Sequence, residues 1–162
     1  MRAMLISGRV IGLHLLIEHQ QRPEPVRRAR ALVDLGLEGD VHGKKKAGSH
    51  RQVLIVDRAT LEALSLQPGD LREQITVEFP SLDTLPAGTV LRVGEATCEL
   101  TGPCEPCTHI GQLLGVPDAV VFQQNLQGRR GQLARIVATD GDGFIRVGDA
   151  VTVLRSSDLT PV

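Results

Sequence analysis

The sequence predicts a mostly β fold with short helices, a β-rich barrel of the α+β class, and three observations carry that prediction. Short aliphatic and β-branched stretches recur between glycine and proline punctuation, as at Gln52–Val56, Val90–Val93 and Val151–Leu154. Helical patterns are few and brief, so they do not alternate with strands as they would in a doubly wound sheet. With no Trp or Tyr and only Phe79, Phe122 and Phe144, the core must be built from Val, Leu, Ile and Ala.

Taken in order, a first strand is expected over Met4–Leu16, and a second over Pro25–Asp34 after the polar turn Gln20–Pro23. A third, Gln52–Val56, precedes a short helix over Arg58–Leu66, for which Asp57 is the N-cap because its carboxylate can accept an orphan backbone N–H. Gln67-Pro68-Gly69-Asp70 breaks that helix. Strands at Ile75–Val77, Val90–Val93 and Ala96–Thr101 follow, the last two joined as a hairpin by Gly94-Glu95. Thr108–Leu114 and Asp118–Leu126 read as helices. Leu133–Ala138, Gly143–Arg146 and Val151–Leu154 close the chain as strands, with Gly141-Asp142-Gly143 as a turn.

The 162 residues suit one domain, expected over 1–155 with a tail at 156–162 that lacks apolar periodicity. A formal charge of −1 gives no basic footprint, and the shortage of aromatic rings removes base-stacking platforms, so nucleic acid is not an expected partner. The apolar run Leu13–Ile17 is far shorter than the roughly 20 residues that span a bilayer, and no signal-peptide pattern opens the chain. No membrane association and a cytoplasmic location are therefore expected. Three cysteines, Cys98, Cys104 and Cys107, are an odd number with two close together, which suits reduced thiols.

Two segments carry chemistry. In Gly36-Leu37-Glu38-Gly39-Asp40-Val41-His42-Gly43 the glycines allow close backbone approach around acids and a histidine, as in a ligand-lining loop. A plain turn in which Asp40 caps its own backbone accounts for the same residues. The run Lys44–Lys46 then leads to Arg51 at the mouth of a strand, where a guanidinium fork can receive phosphate or carboxylate. A solvated surface loop explains the lysines alone.

In Thr101-Gly102-Pro103-Cys104-Glu105-Pro106-Cys107-Thr108, a strand ends in a rigid turn and Cys107 falls where a helix begins. The unpaired N–H groups there favour thiolate over thiol, and thiolate is the form that attacks, carries sulfur or binds a soft metal. A zinc site from Cys98, Cys104, Cys107 and His109 is one alternative, although no second C-x-x-C follows. A thioredoxin-like pair, or a thiol sensor built from Cys104 and Cys107, is another, and Cys98 at mid-strand reads as packing.

Together these segments resemble the MOSC family, the domain found at the end of molybdenum cofactor sulfurases and as small free-standing bacterial proteins. The resemblance rests on Gly36–His42, Arg51-Gln52-Val53, Leu71–Val77, Leu91–Gly94, Pro106-Cys107 and Gly143–Asp149 in this order. Gln74 stands where the family commonly has Asn, so an amide is kept one methylene longer. The resemblance implies a barrel whose loops enclose a pocket, with Cys107 as the catalytic residue, either carrying a persulfide or coordinating molybdenum in a bound pterin cofactor. It implies cofactor contacts from Gly39, Asp40, His42, Arg51, Arg72, Glu73 and Gln74. A role in reducing N-hydroxylated compounds would call for an electron-donor protein, since flavin, nicotinamide and iron–sulfur motifs are missing from the sequence. A sulfur-carrier role would call for a desulfurase instead, and the length leaves no room for a pyridoxal-phosphate domain.

Overall fold

The computed structural model of the chain describes residues 7–19, 21–44 and 47–155. Eleven strands and three short α-helices follow one another: β1 Ser7–Leu15, β2 Glu24–Val26, β3 Arg28–Leu32, β4 Gly36–Leu37, β5 Val53–Asp57, α1 Arg58–Ala63 and β6 Ile75–Glu78. Then come β7 Val90–Val93, β8 Ala96–Pro103, α2 Thr108–Leu114, α3 Ala119–Asn125, β9 Gln132–Thr139, β10 Phe144–Arg146 and β11 Ala150–Arg155. Val41–Lys44 and Leu82–Thr84 form single 3₁₀ turns. Among the described residues no helix is long and apolar enough to cross a membrane.

Seven strands close a mixed barrel in the order β11-β7-β8-β9-β5-β6-β1, sealed by the pairing of β1 with β11. Closure removes the open edges that a flat sheet of this size would expose. Alternation fills the interior: Ala96, Cys98 and Leu100 of β8 and Ala134 and Ile136 of β9 point inward beside Leu91 and Val93 of β7, each no more than 1% exposed. At roughly 1.5–3 kcal/mol per fully buried aliphatic side chain, this inner face is the main stabilising feature. Strand β5 is buried on both sides, with Val53 and Ile55 in the barrel core and Leu54 and Val56 in a second apolar cluster with Ile110, Phe122 and Leu126 of the helical side.

All barrel pairings are antiparallel except β5–β6, which run parallel and are joined through α1, so one strand–helix–strand unit sits in the otherwise antiparallel fold. Asp57 caps α1 as expected, accepting from the Ala59 N–H at 3.2 Å. The helix ends at Ala63 rather than Leu66 because Ser65 turns left-handed (φ 58°) and the Leu66 N–H returns to the Leu61 carbonyl at 2.8 Å.

The expected strand Pro25–Asp34 is two strands. After a bend at Arg27, the chain leaves β1, which pairs with β2, and enters a three-stranded sheet of order β10-β3-β4. That sheet buries Ala29, Ala31 and Ile145, while Arg28, Arg30 and Arg146 stack over the Phe144 ring at 4.5, 4.8 and 5.2 Å on its outer face. Of the first expected strand, Met4–Ile6 lies outside the described residues, as does the tail 156–162.

Candidate functional site

The cavity is assembled from what the barrel leaves uncovered. Its volume is about 340 Å³, and it opens where the starts of β5 and β6 face helix α2. Val53, Leu54 and Gln74 form the barrel wall, and Cys107, His109 and Ile110 form the helical one. Arg51, Arg72 and Arg130 bring three guanidiniums to it, and His42 lies on the remaining side.

Cys107 occupies the N-cap position of α2 with an extended backbone (φ −140°, ψ 168°). Its side chain makes no capping hydrogen bond and is exposed, which leaves the sulfur free to meet a guest. Asp118 of α3 shows the contrast, since its carboxylate accepts from Val120 and Val121 N–H groups and is consumed in capping. Cys104 lines the same cavity at 7% exposure, and Cys98 is sealed in the barrel core, where burial pushes its thiol up to about 12.

The loop opening with Gly36 and Gly39, both at positive φ (133° and 90°), delivers Asp40 into the interior rather than into the cavity. Asp40 is fully buried and accepts from the Leu16 N–H at 2.7 Å, the His42 N–H at 2.9 Å and the Gln74 amide at 3.3 Å, with the His42 ring nitrogen Nδ1 at 3.0 Å. Burial works to raise its carboxyl, but the bonds from His42 and Leu16 outweigh it and hold the group below the usual range. Gln74 in turn accepts the Leu54 N–H at 2.7 Å, so one network ties the glycine loop, β5 and β6 together.

Arg72 has a left-handed backbone (φ 64°) although it is not glycine, a strain retained where the side chain must reach the cavity. Its guanidinium donates to the Gln21 carbonyl at 2.7 Å. Burial, and then the charge of Arg130, hold it below its ordinary range, and the charge of Arg130 acts also on the buried Glu73 carboxyl. Arg130 is only 9% exposed, and its Nη1 is buried without a partner. A buried guanidinium nitrogen left without a hydrogen-bond partner is costly, so this geometry favours an anionic guest. Gly131 makes the placement possible: at φ 107° it lies so close to β5 that a Cβ would stand 2.6 Å from the Ile55 carbonyl oxygen.

The structure brings Cys107, His42, Arg51, Arg72 and Gln74 to one cavity. Gly39, Asp40 and Glu73 are not among the lining residues. Glu73 is fully buried, accepting from the Gly69 N–H at 3.0 Å and Thr76 Oγ1 at 2.7 Å; burial pushes its carboxyl up against these bonds. The spacing of Asp40 and Glu73 said that carboxylates stand here, and not that they face backbone N–H groups. Lys45 and Lys46 lie outside the described residues. Sequence reading missed Arg130 and His19, and met His109 only as a zinc ligand; the Gly128-Arg129-Arg130-Gly131 turn between helix and strand is the signal for Arg130.

The zinc set is not assembled. Among the described residues no three His, Cys, Asp or Glu side chains converge as metal ligands, and Cys98 and Cys104 belong to apolar clusters on opposite faces of the sheet. Cys104 and Cys107 follow an antiparallel strand, not the strand–helix–strand setting of a thioredoxin pair.

Comparison with known proteins agrees with this architecture. The family model of the MOSC domain matches residues 39–152. A search of curated proteins gives no match. Among solved structures, the YuaD protein of Bacillus subtilis is similar with a TM-score of 0.76 at 20% identity, covering 93% of this chain and 97% of that one. YiiM of Escherichia coli superposes with a TM-score of 0.68 at 20% identity, covering 94% and 73%. YiiM of Geobacillus stearothermophilus gives 0.63 at 14%, covering 93% and 74%.

Proposed function

This chain belongs to the MOSC domain family, and we propose that it binds a molybdenum–pterin cofactor in the cavity beside Cys107 and acts as the cofactor-bearing part of a reductase of N-hydroxylated compounds. One observation carries the reading: a free sulfur at a helix N-cap and an unpartnered buried guanidinium, Arg130, line the same cavity. The donor set fits the group. A soft thiolate from Cys107 suits a molybdenum–sulfur environment, and Arg51, Arg72 and Arg130 suit a phosphate. The volume of about 340 Å³ falls at the lower end of ordinary ligand sites, which span roughly 300–1,000 Å³.

When bound, the cofactor supplies two-electron chemistry at its metal. The chain's own residues bind and orient it. Cys107 holds the metal end, and the arginines fix the anionic end. Leu54, Ile110 and Leu133 keep water from that face. The Asp40–Gln74 network holds the wall rigid against the guest. Electrons come from a donor protein. Cys104, a second thiol on the same cavity, supports a further reading in which Cys107 carries a persulfide received from a desulfurase.

Protein made in a cofactor-competent host is expected to retain molybdenum and pterin, and Cys107→Ser to lose them while Cys98→Ser does not. Elemental analysis and mass spectrometry of the intact chain measure this, and a one-sulfur adduct on Cys107 without molybdenum selects the persulfide reading. Stoichiometric zinc with no molybdenum overturns both.

A further inference from the structure

We propose that His42, held by Asp40 and Gln74, is a proton-transfer residue of the cavity, presenting its Nε2 to the guest while Nδ1 stays bound to the buried carboxylate. The inference deepens the function proposed above and rests on it for the identity of the reaction alone.

The geometry divides the ring between two environments. Nδ1 lies 3.0 Å from Asp40 Oδ2, an atom of a side chain that is 0% exposed, whereas the His42 side chain is 25% exposed and lines the cavity. Nε2 has no protein partner among the described residues. The His42 backbone N–H also donates to Asp40 Oδ2 at 2.9 Å, which fixes the position of the whole residue relative to the carboxylate.

Two neighbours compete to set the tautomer. The Gln74 amide nitrogen stands 3.2 Å from Nδ1, and its orientation is fixed because Oε1 accepts the Leu54 N–H at 2.7 Å. An amide N–H facing Nδ1 favours a bare Nδ1. Asp40 favours the opposite, since a lone pair 3.0 Å from a carboxylate oxygen is repelled and an N–H there makes a charge-assisted bond, roughly twice as strong as a neutral one. The amide also has both Asp40 oxygens at 3.3 Å as outlets for its protons. The carboxylate decides: Nδ1 carries the proton and Nε2 is the exchanging atom.

Asp40 remains a carboxylate throughout, because its bonds from His42 and Leu16 are worth more to the charged form than burial takes away. It therefore steadies an imidazolium as it forms without taking the proton, the role of the orienting acid in a catalytic triad. Arg51, Arg72 and Arg130 line the same cavity and oppose a positive ring, and His19, Cys104, Cys107 and His109 are the other ionisable groups that line it. A readout on the ring itself separates His42 from these.

Reduction of an N-hydroxylated substrate is a two-electron, two-proton step. The N–O bond breaks, two electrons arrive from an external reductant, and two protons are taken up, one on nitrogen and one on the departing oxygen, which leaves as water. His42, doubly protonated as the imidazolium that Asp40 steadies, gives its Nε2 proton to that oxygen, returns to the Nδ1–H form and regains the proton from solvent. Asp40 and Gln74 are positioning residues.

The test uses the full chain. Nitrogen-15 spectra of the His42 ring in the neutral form are expected to show Nδ1–H with Nε2 bare; a dominant Nε2–H form overturns the proposal. With a model N-hydroxylated base and a reduced viologen as electron source, His42→Ala at unchanged molybdenum content is expected to lose about 10²-fold in rate, the usual scale of general acid catalysis. Added imidazole is expected to restore part of it, which a structural role would not allow. An unchanged rate, or a loss that imidazole leaves untouched, overturns the proposal. If the wild-type chain retains no molybdenum the functional reading fails by itself, and the tautomer still decides for or against His42.

Discussion

The parallel strands β5 and β6 begin and end on buried carboxylates that do the same work, yet the cavity lined by Cys107 lies at their start. At their start Asp40 accepts the Leu16 and His42 N–H groups, and at their finish Asp57 accepts the Phe79 N–H at 2.7 Å and the Ala59 N–H at 3.2 Å. Beyond Asp57 lie Phe79, Leu82 and Leu85, all buried. Beyond Asp40 lie His42, Gln74 and three arginines. In open α/β sheets ligands gather at the carboxyl ends of parallel strands. Here the single parallel pair is enclosed in a barrel, its carboxyl end is plugged, and the site has moved to the amino end. A buried acid is thus scaffold at both ends, and function depends on what surrounds it.

The largest effect that tests this comparison is structural. Asp40→Ala and Asp57→Ala are each expected to cost about 3–5 kcal/mol in chemical denaturation, because each strands several buried donors. A loss under about 1 kcal/mol at Asp40 with a full loss at Asp57 would break the equivalence and return Asp40 to the ligand. Next, Arg130→Met should separate stability from binding. Removing an unpaired buried guanidinium is expected to stabilise the empty protein by about 1–2 kcal/mol while weakening inorganic phosphate binding by about tenfold or more, measured by denaturation and by calorimetric titration. Loss of stability with unchanged phosphate binding would show that the cation serves the fold.

The smallest effect belongs to the sealed end. Burial, and then the charge of Asp57, push the Asp83 carboxyl up to about 6. A folded-state value above the ordinary 3.8 means that the folded chain holds the proton more tightly, so stability falls as pH rises from about 4 through 6. Asp83→Asn is expected to stabilise by about 1 kcal/mol at pH 7 and by nothing below about pH 4, read from denaturation midpoints at both values. A pH-independent gain would place the cause in packing.

How much of this was legible depended on how local each signal is. Helix α2 has the bounds the sequence predicts, because the extended Cys107 before it and the left-handed Gly115 after it, at φ 70°, are its neighbours in the chain. The hairpin at Gly94-Glu95 and the cap at Asp57 are local in the same sense. The break at Arg27 was not legible, since β2 and β3 differ only in distant partners, Leu13 for one and Phe144 for the other. The place of Cys107 at a helix start is local, whereas the turn that holds Arg130 reaches the cavity only because Gly131 lies against β5. Asp40 and Glu73 were read at the right place with the wrong facing, because composition shows a charge but not its neighbours.

The seam between β1 and β11 sets Ser7 opposite Thr152, so the first and last described strands run side by side. A flexible linker across that seam, with the chain reopened at the exposed Gly141-Asp142 turn, would give a permuted protein whose cavity segments keep their order and spacing. Cavity assembly would then be independent of where translation starts, and dependent only on whether the ring of strands closes.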